Sequence, residues 1–188
     1  MLEEMSSFYK QQGFKNIAEQ RLTPAIAALK KAAQLQVQDA QIQNALGLCC
    51  FRLGEFEQAK GAWERSVELF SENNPAVHYL AELKQDDFSC RIQSYNEALD
   101  LAGKRCYKQA ERILKQKKQM TFSFVSFGNL LGLCFYGRKR EKEALKVWLR
   151  VLSLDREHPL TLRYLQQGFC GSNGMQQQAR RRRLFLFW

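Results

Sequence analysis

The side chains in this chain with the most reactive chemistry are six cysteines, two histidines and a run of four arginines. Cys49, Cys50, Cys90, Cys106, Cys134 and Cys170 contain no C-x-x-C pair and have no histidine at ligand spacing, so the thiolate and imidazole set of a zinc site does not form. His78 and His158 lack an acid or nucleophile at motif spacing, and GxGxxG, P-loop, HExxH and GxSxG sequences are all missing. These residue types point to a non-enzymatic chain without cofactor or metal, in which His158 is solvated and His78 lies on a helix surface or at a packed edge. Arg180, Arg181, Arg182 and Arg183 precede Leu184, Phe185, Leu186, Phe187 and Trp188, which joins four cations to five apolar residues. That pattern suits an anionic membrane surface, with arginines on headgroups and Phe185, Phe187 and Trp188 at the boundary. Five apolar residues cannot cross a bilayer. The competing readings are a tail without a partner and the flank of a spanning helix cut short. Nucleic acid is disfavoured, since no spaced aromatics accompany the arginines to stack bases.

Something must position whatever these residues do, and composition says it is helical. The chain has 188 residues, 45% of them hydrophobic, with only 3 prolines and 11 glycines, which is enough apolar content for an ordered core. Long stretches rich in Ala, Leu, Gln, Lys and Glu favour helix throughout, and no sheet is expected. Charge is unevenly placed: residues 1 to 100 carry a net of −4 and residues 101 to 188 a net of +14, so the second half suits an anionic partner. The N-terminus, MLEEMSSFYKQQGF, is acidic where a secretory signal is basic, and a reducing, cytoplasmic setting follows as the expectation.

A repeat organises the helices. In NALGLCCFRLGEFEQAKGAWERSVEL, Asn44 to Leu69, the residues Leu46, Cys50 and Leu53 share one helical face. Gly47 leaves room for a close neighbour, Gly54-Glu55-Phe56 turns, and Phe56, Ala59, Trp63 and Val67 line a second helix. With Ala59 as the mark, equivalents stand at Ala25, Ala110 and Ala144, so that the strides along the chain are 34, 51 and 34. A period of 34 with paired helices signals a stacked array. Asn129, Leu131, Gly132, Leu133, Cys134, Ala144 and Trp148 match Asn44, Leu46, Gly47, Leu48, Cys49, Ala59 and Trp63, all at an offset of 85. Cys49 and Cys134 therefore read as small buried apolar side chains.

On these residues the chain resembles the tetratricopeptide repeat family over about Phe8 to Gln167. The resemblance is most specific for repeats two and four, and weakest for the third. It implies an all-α, right-handed solenoid of about four helical hairpins, the third degenerate and preceded by a half-repeat insertion, closed by a C-terminal capping helix. The solenoid covers 1–170, and 171–188 is linker and tail. Residues 3 to 20 form the first helix, with Phe8, Phe14 and Ile17 expected in the core, and Val37 stands near the family's late proline. Ser71 to Pro75 stops repeat two, and 76–83, 88–102 and 109–119 are the irregular helices. The uncharged stretch Gln119 to Gly137 is long enough to span a bilayer, but its register with Asn44 to Phe51 assigns it to the solenoid. Leu160 to Phe169 caps the stack through Leu160, Leu162, Tyr164 and Leu165.

The resemblance places function in the groove lined by each hairpin's first helix. Its slots carry over to Lys10, Phe14 and Ile17, to Gln41, Asn44, Leu48, Phe51 and Arg52, to Tyr95 and Leu99, and to Asn129, Leu133 and Tyr136. Asn44 and Asn129 are the expected contacts to a ligand backbone, because an amide donates and accepts at once; a local hydrogen bond between helices is the competing reading. The family's clamp for a terminal carboxylate is incomplete here: Lys10 fits it, but Phe14 takes the Asn place, which favours a peptide of mixed apolar and polar character. The chain thus reads as a scaffold for protein interaction, tethered at a membrane through its tail in one version. The alternatives are a self-assembling structural protein, as a homo-oligomer, and a basic adaptor on nucleic acid.

Overall fold

The computed structural model describes residues 1–36, 38–116 and 122–169. These contain ten helices and no strand: α1 (Leu2–Ala18), α2 (Leu22–Leu35), α3 (Ala40–Leu53), α4 (Phe56–Leu69), α5 (Pro75–Leu83), α6 (Asp86–Gly103), α7 (Tyr107–Gln116), α8 (Val125–Gly137), α9 (Glu141–Leu152) and α10 (Pro159–Phe169). Val37, Cys170 and the tail residues 171–188 lie outside the described residues. The helices form two compact units: unit 1 is Met1–Cys90 with Leu154–Glu157, and unit 2 is Arg91–Ser153 with the described residues from His158 on.

In unit 1, α1 packs on α2, α2 on α3, α3 on α4 and α4 on α5. Helix α3 starts where the Asp39 carboxylate accepts from the Gln41 and Ile42 amides at 2.9 and 3.1 Å, and ends at Gly54, whose φ of 90° only glycine adopts without strain. Asn74 caps α5 by accepting from the Ala76 amide at 2.9 Å, and Pro75 follows in the first turn. The contact of α1 with α2 is made by small groups: Gly13 lies against Leu29, and the Ser6 hydroxyl donates to the Ala32 carbonyl at 3.2 Å. That choice of face turns the large residues outward, so Phe8 is 63% and Phe14 41% exposed instead of joining the core.

The loop Leu154–Glu157 packs on the start of α2. Asp155, fully buried, accepts from the Thr23 amide at 3.2 Å and hydroxyl at 2.6 Å, placing a carboxylate at a helix N-terminus. Arg21 pairs with Glu157 at 2.7 Å, and the Arg156 amide donates to the Gln20 carbonyl at 2.8 Å.

In unit 2, α7 packs on α8, α8 on α9 and α9 on α10. Helix α8 is buried from Val125 to Tyr136 apart from Ser126, which accounts for the uncharged stretch, and no helix among the described residues is long and apolar enough to cross a membrane. The capping helix buries Tyr164 and Leu165, whereas Leu162, expected inside, is 37% exposed because Thr161 takes the inward position.

The repeat is visible atom by atom. All four marks, Ala25, Ala59, Ala110 and Ala144, have no exposed surface. Trp63 packs over Gly47 and Trp148 over Gly132, so closely that a Cβ at either glycine would overlap the indole. Phe51 and Tyr79 flank Trp63 with ring centroids at 5.6 and 5.0 Å. Tyr136 and Tyr164, at the matching places of the later hairpin, flank Trp148 at 5.9 and 5.3 Å.

Candidate ligand-binding site

In unit 1, α1 and α3 frame a cavity of about 420 Å³ lined by Phe14, Ile17, Gln41, Asn44, Leu48 and Arg52, with Leu22, Ala45 and Cys49 behind them. The groove slots of repeats one and two thus come together, except two. Lys10 is committed elsewhere: its ammonium lies 2.7 Å from the Asp39 carboxylate and 2.9 Å from the Gln41 side-chain oxygen. Phe51 packs with Phe56, Trp63 and Phe88 instead of facing the cavity. In unit 2, Leu99 and Leu133 line a second cavity of about 420 Å³ with Asn96, Asp100, Ala102, Gly103 and Leu130. Tyr95, Asn129 and Tyr136 do not reach it. Tyr95 is buried with its ring stacked on Phe127 at 4.1 Å, and burial pushes its hydroxyl pKa up to about 12. Tyr136 is 2% exposed beside Trp148.

The two asparagines occupy one slot with different outcomes. The Asn74 carbonyl oxygen accepts from the Ala76 amide, and its NH2 donates to Ser66 and Phe70, so its orientation is fixed. Asn44 must then present its own NH2 to that oxygen, at 2.9 Å, which leaves its carbonyl oxygen directed away, buried and without a partner. In unit 2, His158 takes the capping place: its Nδ1 lies 2.8 Å from the Thr161 hydroxyl, 3.2 Å from the Thr161 amide and 3.4 Å from the Asn129 NH2. His158 is thus half-buried in a hydrogen-bonded cap and not free in solvent as expected, while His78 is exposed beside Glu82. The difference lies one step further on. The Thr161 hydroxyl donates to the Asn129 carbonyl oxygen at 2.9 Å, and the matching residue of unit 1 is Ala76, which has no hydroxyl. Asn129, 1% exposed, is satisfied from within; Asn44, half-buried at the cavity wall, is not.

The cavity has the means to bind but little to react with. Cys49 and Cys134 are buried as expected, and burial pushes their thiol pKa up to about 12, and that of Cys50 to about 11, so all stay protonated. Cys90 and Cys106 are exposed. Among the described residues no three metal-ligating side chains converge. Arg180 to Arg183, Phe185, Phe187 and Trp188 lie outside the described residues. Thr161, Asn74 and Asp155 went unmarked in the sequence; the offset of 85 that pairs Thr161 with Ala76 was the available signal for the first.

No family model matches the sequence, and no curated protein matches it. Solved structures do. The P58(IPK) TPR domain aligns over 95% of this chain and 55% of its own, with 13% identity and a TM-score of 0.51. MamA from Desulfovibrio magneticus RS-1 aligns over 94% of this chain and 89% of its own, with 17% identity and a TM-score of 0.39. The first TPR domain of Spaghetti (RPAP3), bound to the HSP90 peptide SRMEEVD, aligns over 92% and 96%, with 14% identity and a TM-score of 0.35. Together with the repeated Trp-over-Gly packing, the likeness to the first of these identifies the fold as that of a tetratricopeptide repeat protein.

Proposed function

We propose that this chain is a non-catalytic scaffold whose unit 1 cavity binds an extended peptide segment of a partner protein. The observation that carries this reading is the Asn44 carbonyl oxygen, buried without a donor at the wall of a cavity otherwise lined by Phe14, Ile17 and Leu48. An unmet buried acceptor costs about 1–3 kcal/mol, which a ligand N–H would relieve. A peptide supplies that N–H from its backbone while an apolar side chain fills the space beside it, and Arg52 at the rim favours an acidic neighbour in the ligand. Lys10, neutralised by Asp39, is not available to grip a terminal carboxylate, so an internal segment fits better than a chain end. Selection of phage-displayed random peptides on the wild-type protein and on Leu48→Glu tests this. Enrichment of peptides with a shared apolar residue on the wild type alone is expected; equal enrichment on both would refute the cavity. For the tail, Arg180 to Arg183 with Leu184 to Trp188 support contact with anionic lipid.

A further inference from the structure

Helices α1, α3, α6 and α8 end in the same turn, closed by amides that donate back five residues: Arg21 to Asn16, Glu55 to Cys50, Cys106 to Leu101 and Arg140 to Phe135, at 2.8–2.9 Å. The residue before each donor has a left-handed backbone, with φ of 59° at Gln20, 90° at Gly54, 62° at Arg105 and 63° at Lys139. A side chain with a Cβ is strained there, and glycine is not. Unit 2 nevertheless places a cation at both of its turns.

Helix α7 brings those two turns to one edge. Its Tyr107 ring lies against Gly137, and its Glu111 carboxylate receives Arg138, and Arg140 at 3.1 Å, from the second turn. Lys115, 2.6 Å from the same carboxylate, continues a helical stripe with Lys108 and Arg112, all three exposed. Residues 100–116 and 138–143 hold nine Lys/Arg and four Asp/Glu, a net of +5, whereas the same repeat positions of unit 1, 15–31 and 53–58, hold four and three. The excess is therefore not something the hairpin requires. Asp100 pairs with Lys104 at 2.7 Å and Glu143 with Arg140 at 3.0 Å, but Arg105, Lys108, Arg112 and Lys139 are exposed and make no ion pair among the described residues.

We propose that this edge of unit 2 lies on an anionic bilayer surface when the tail holds the chain there. The free cations are distributed over two turns and a helix on which Lys108 and Lys115 stand about 10 Å apart, so they suit the spread charge of a headgroup layer better than a single carboxylate or phosphate. The aromatic ring on these segments, Tyr107, is laid against Gly137, which leaves no platform on which bases could stack. Each cation at an anionic surface strengthens binding about fivefold, which offsets the strain of carrying Arg105 and Lys139 at the turn tips. The inference rests on the lipid contact of the tail.

Flotation of the full chain with vesicles of phosphatidylcholine and phosphatidylserine tests it, on wild type and on the fourfold variant Arg105→Gly, Lys108→Gln, Arg112→Gln, Lys139→Gly. Glycine relieves the left-handed turns and glutamine maintains the helix, so the variant is expected to melt no lower than wild type. Its affinity for the vesicles should fall at least about tenfold. A control that changes four exposed cations of unit 1, Lys30, Lys31, Lys60 and Arg65, each to Gln, should bind as wild type does. Wild type that stays unbound overturns the tail contact and the proposal with it. A fourfold variant bound like wild type, or a control as weak as that variant, overturns the proposal and leaves the tail contact standing. So does a loss that appears on duplex DNA and not on vesicles, the result for a nucleic-acid edge.

Discussion

Thr161 donates its hydroxyl hydrogen to the Asn129 carbonyl oxygen at 2.9 Å, and so closes in unit 2 a position that stays open in unit 1, where Ala76 stands at the matching place. Exchanging the two residues should exchange the two outcomes. Thr161→Ala leaves a buried acceptor unmet and is expected to destabilise the protein by about 1–3 kcal/mol. Ala76→Thr offers Asn44 its missing donor at a position with no exposed surface, so overpacking offsets the stability gained and the expected effect is a loss of affinity for peptides selected on the unit 1 cavity. Thermal melts read the first effect and peptide titration the second. A weaker melt for Thr161→Ala with unaltered binding in Ala76→Thr would detach Asn44 from the ligand.

The Trp-over-Gly contacts make a sharper stability prediction. A methyl group at Gly47 or Gly132 would overlap the Trp63 or Trp148 indole, and forced overpacking of this kind costs about 1–3 kcal/mol. Gly61, in α4, has nothing within 4 Å of the corresponding position. Gly61→Ala should therefore stabilise by about 0.5–1 kcal/mol through helix propensity alone. Opposite shifts in melting temperature for Gly47→Ala and Gly61→Ala are the expected result.

Local periodicity made the hairpins legible before any coordinates. The alanine marks, both tryptophans and the glycines beneath them follow from spacing, because packing inside a hairpin joins residues close in sequence. The unit 1 cavity was legible for the same reason: Phe14, Gln41, Asn44, Leu48 and Arg52 sit on one repeat's groove face and its neighbour's. What escaped depends on residues far apart or on which of two faces a helix chooses. Asp155 caps α2 from the far end of the sequence, a relation no period encodes. Phe8 looked like core because it is large, yet α1 packs through Gly13 and Ser6, since small groups let two helices approach more closely than phenylalanine allows. Asn129 shares its repeat slot with Asn44, but that its amide meets a neighbour is decided by Thr161, which the repeat pattern does not encode.

The proposed contact of the tail with anionic lipid has its own test. Each arginine near an anionic bilayer contributes about 1 kcal/mol, so the four together should give binding that falls steeply with salt. Flotation with vesicles containing phosphatidylserine is expected to recover the full chain at low salt and not at high salt. Deleting residues 179–188 should abolish recovery, and equal recovery with purely zwitterionic vesicles would exclude the headgroup interaction.

Glu111 gives the pH prediction. It is 4% exposed on α7, and its carboxylate receives Lys115 at 2.6 Å, Arg140 at 3.1 Å and Arg138. Burial pushes its pKa up, but hydrogen bonds from Lys115 and Arg138, with their charges, outweigh this and hold the pKa below the usual carboxylate value. A carboxyl group with a lowered folded-state pKa binds its proton more weakly folded than unfolded. Its stabilisation is therefore complete above the unfolded value of about 4.3 and is lost as pH falls through the folded one. Glu111→Gln removes the charge and leaves Arg138 and Arg140 facing an amide, at a cost of about 1.5–3 kcal/mol at neutral pH. Melting temperature plotted against pH should fall below about pH 4 less steeply in Glu111→Gln than in wild type, so that the two curves converge in acid; parallel curves would mean that the carboxylate titrates alike in the folded and unfolded chains.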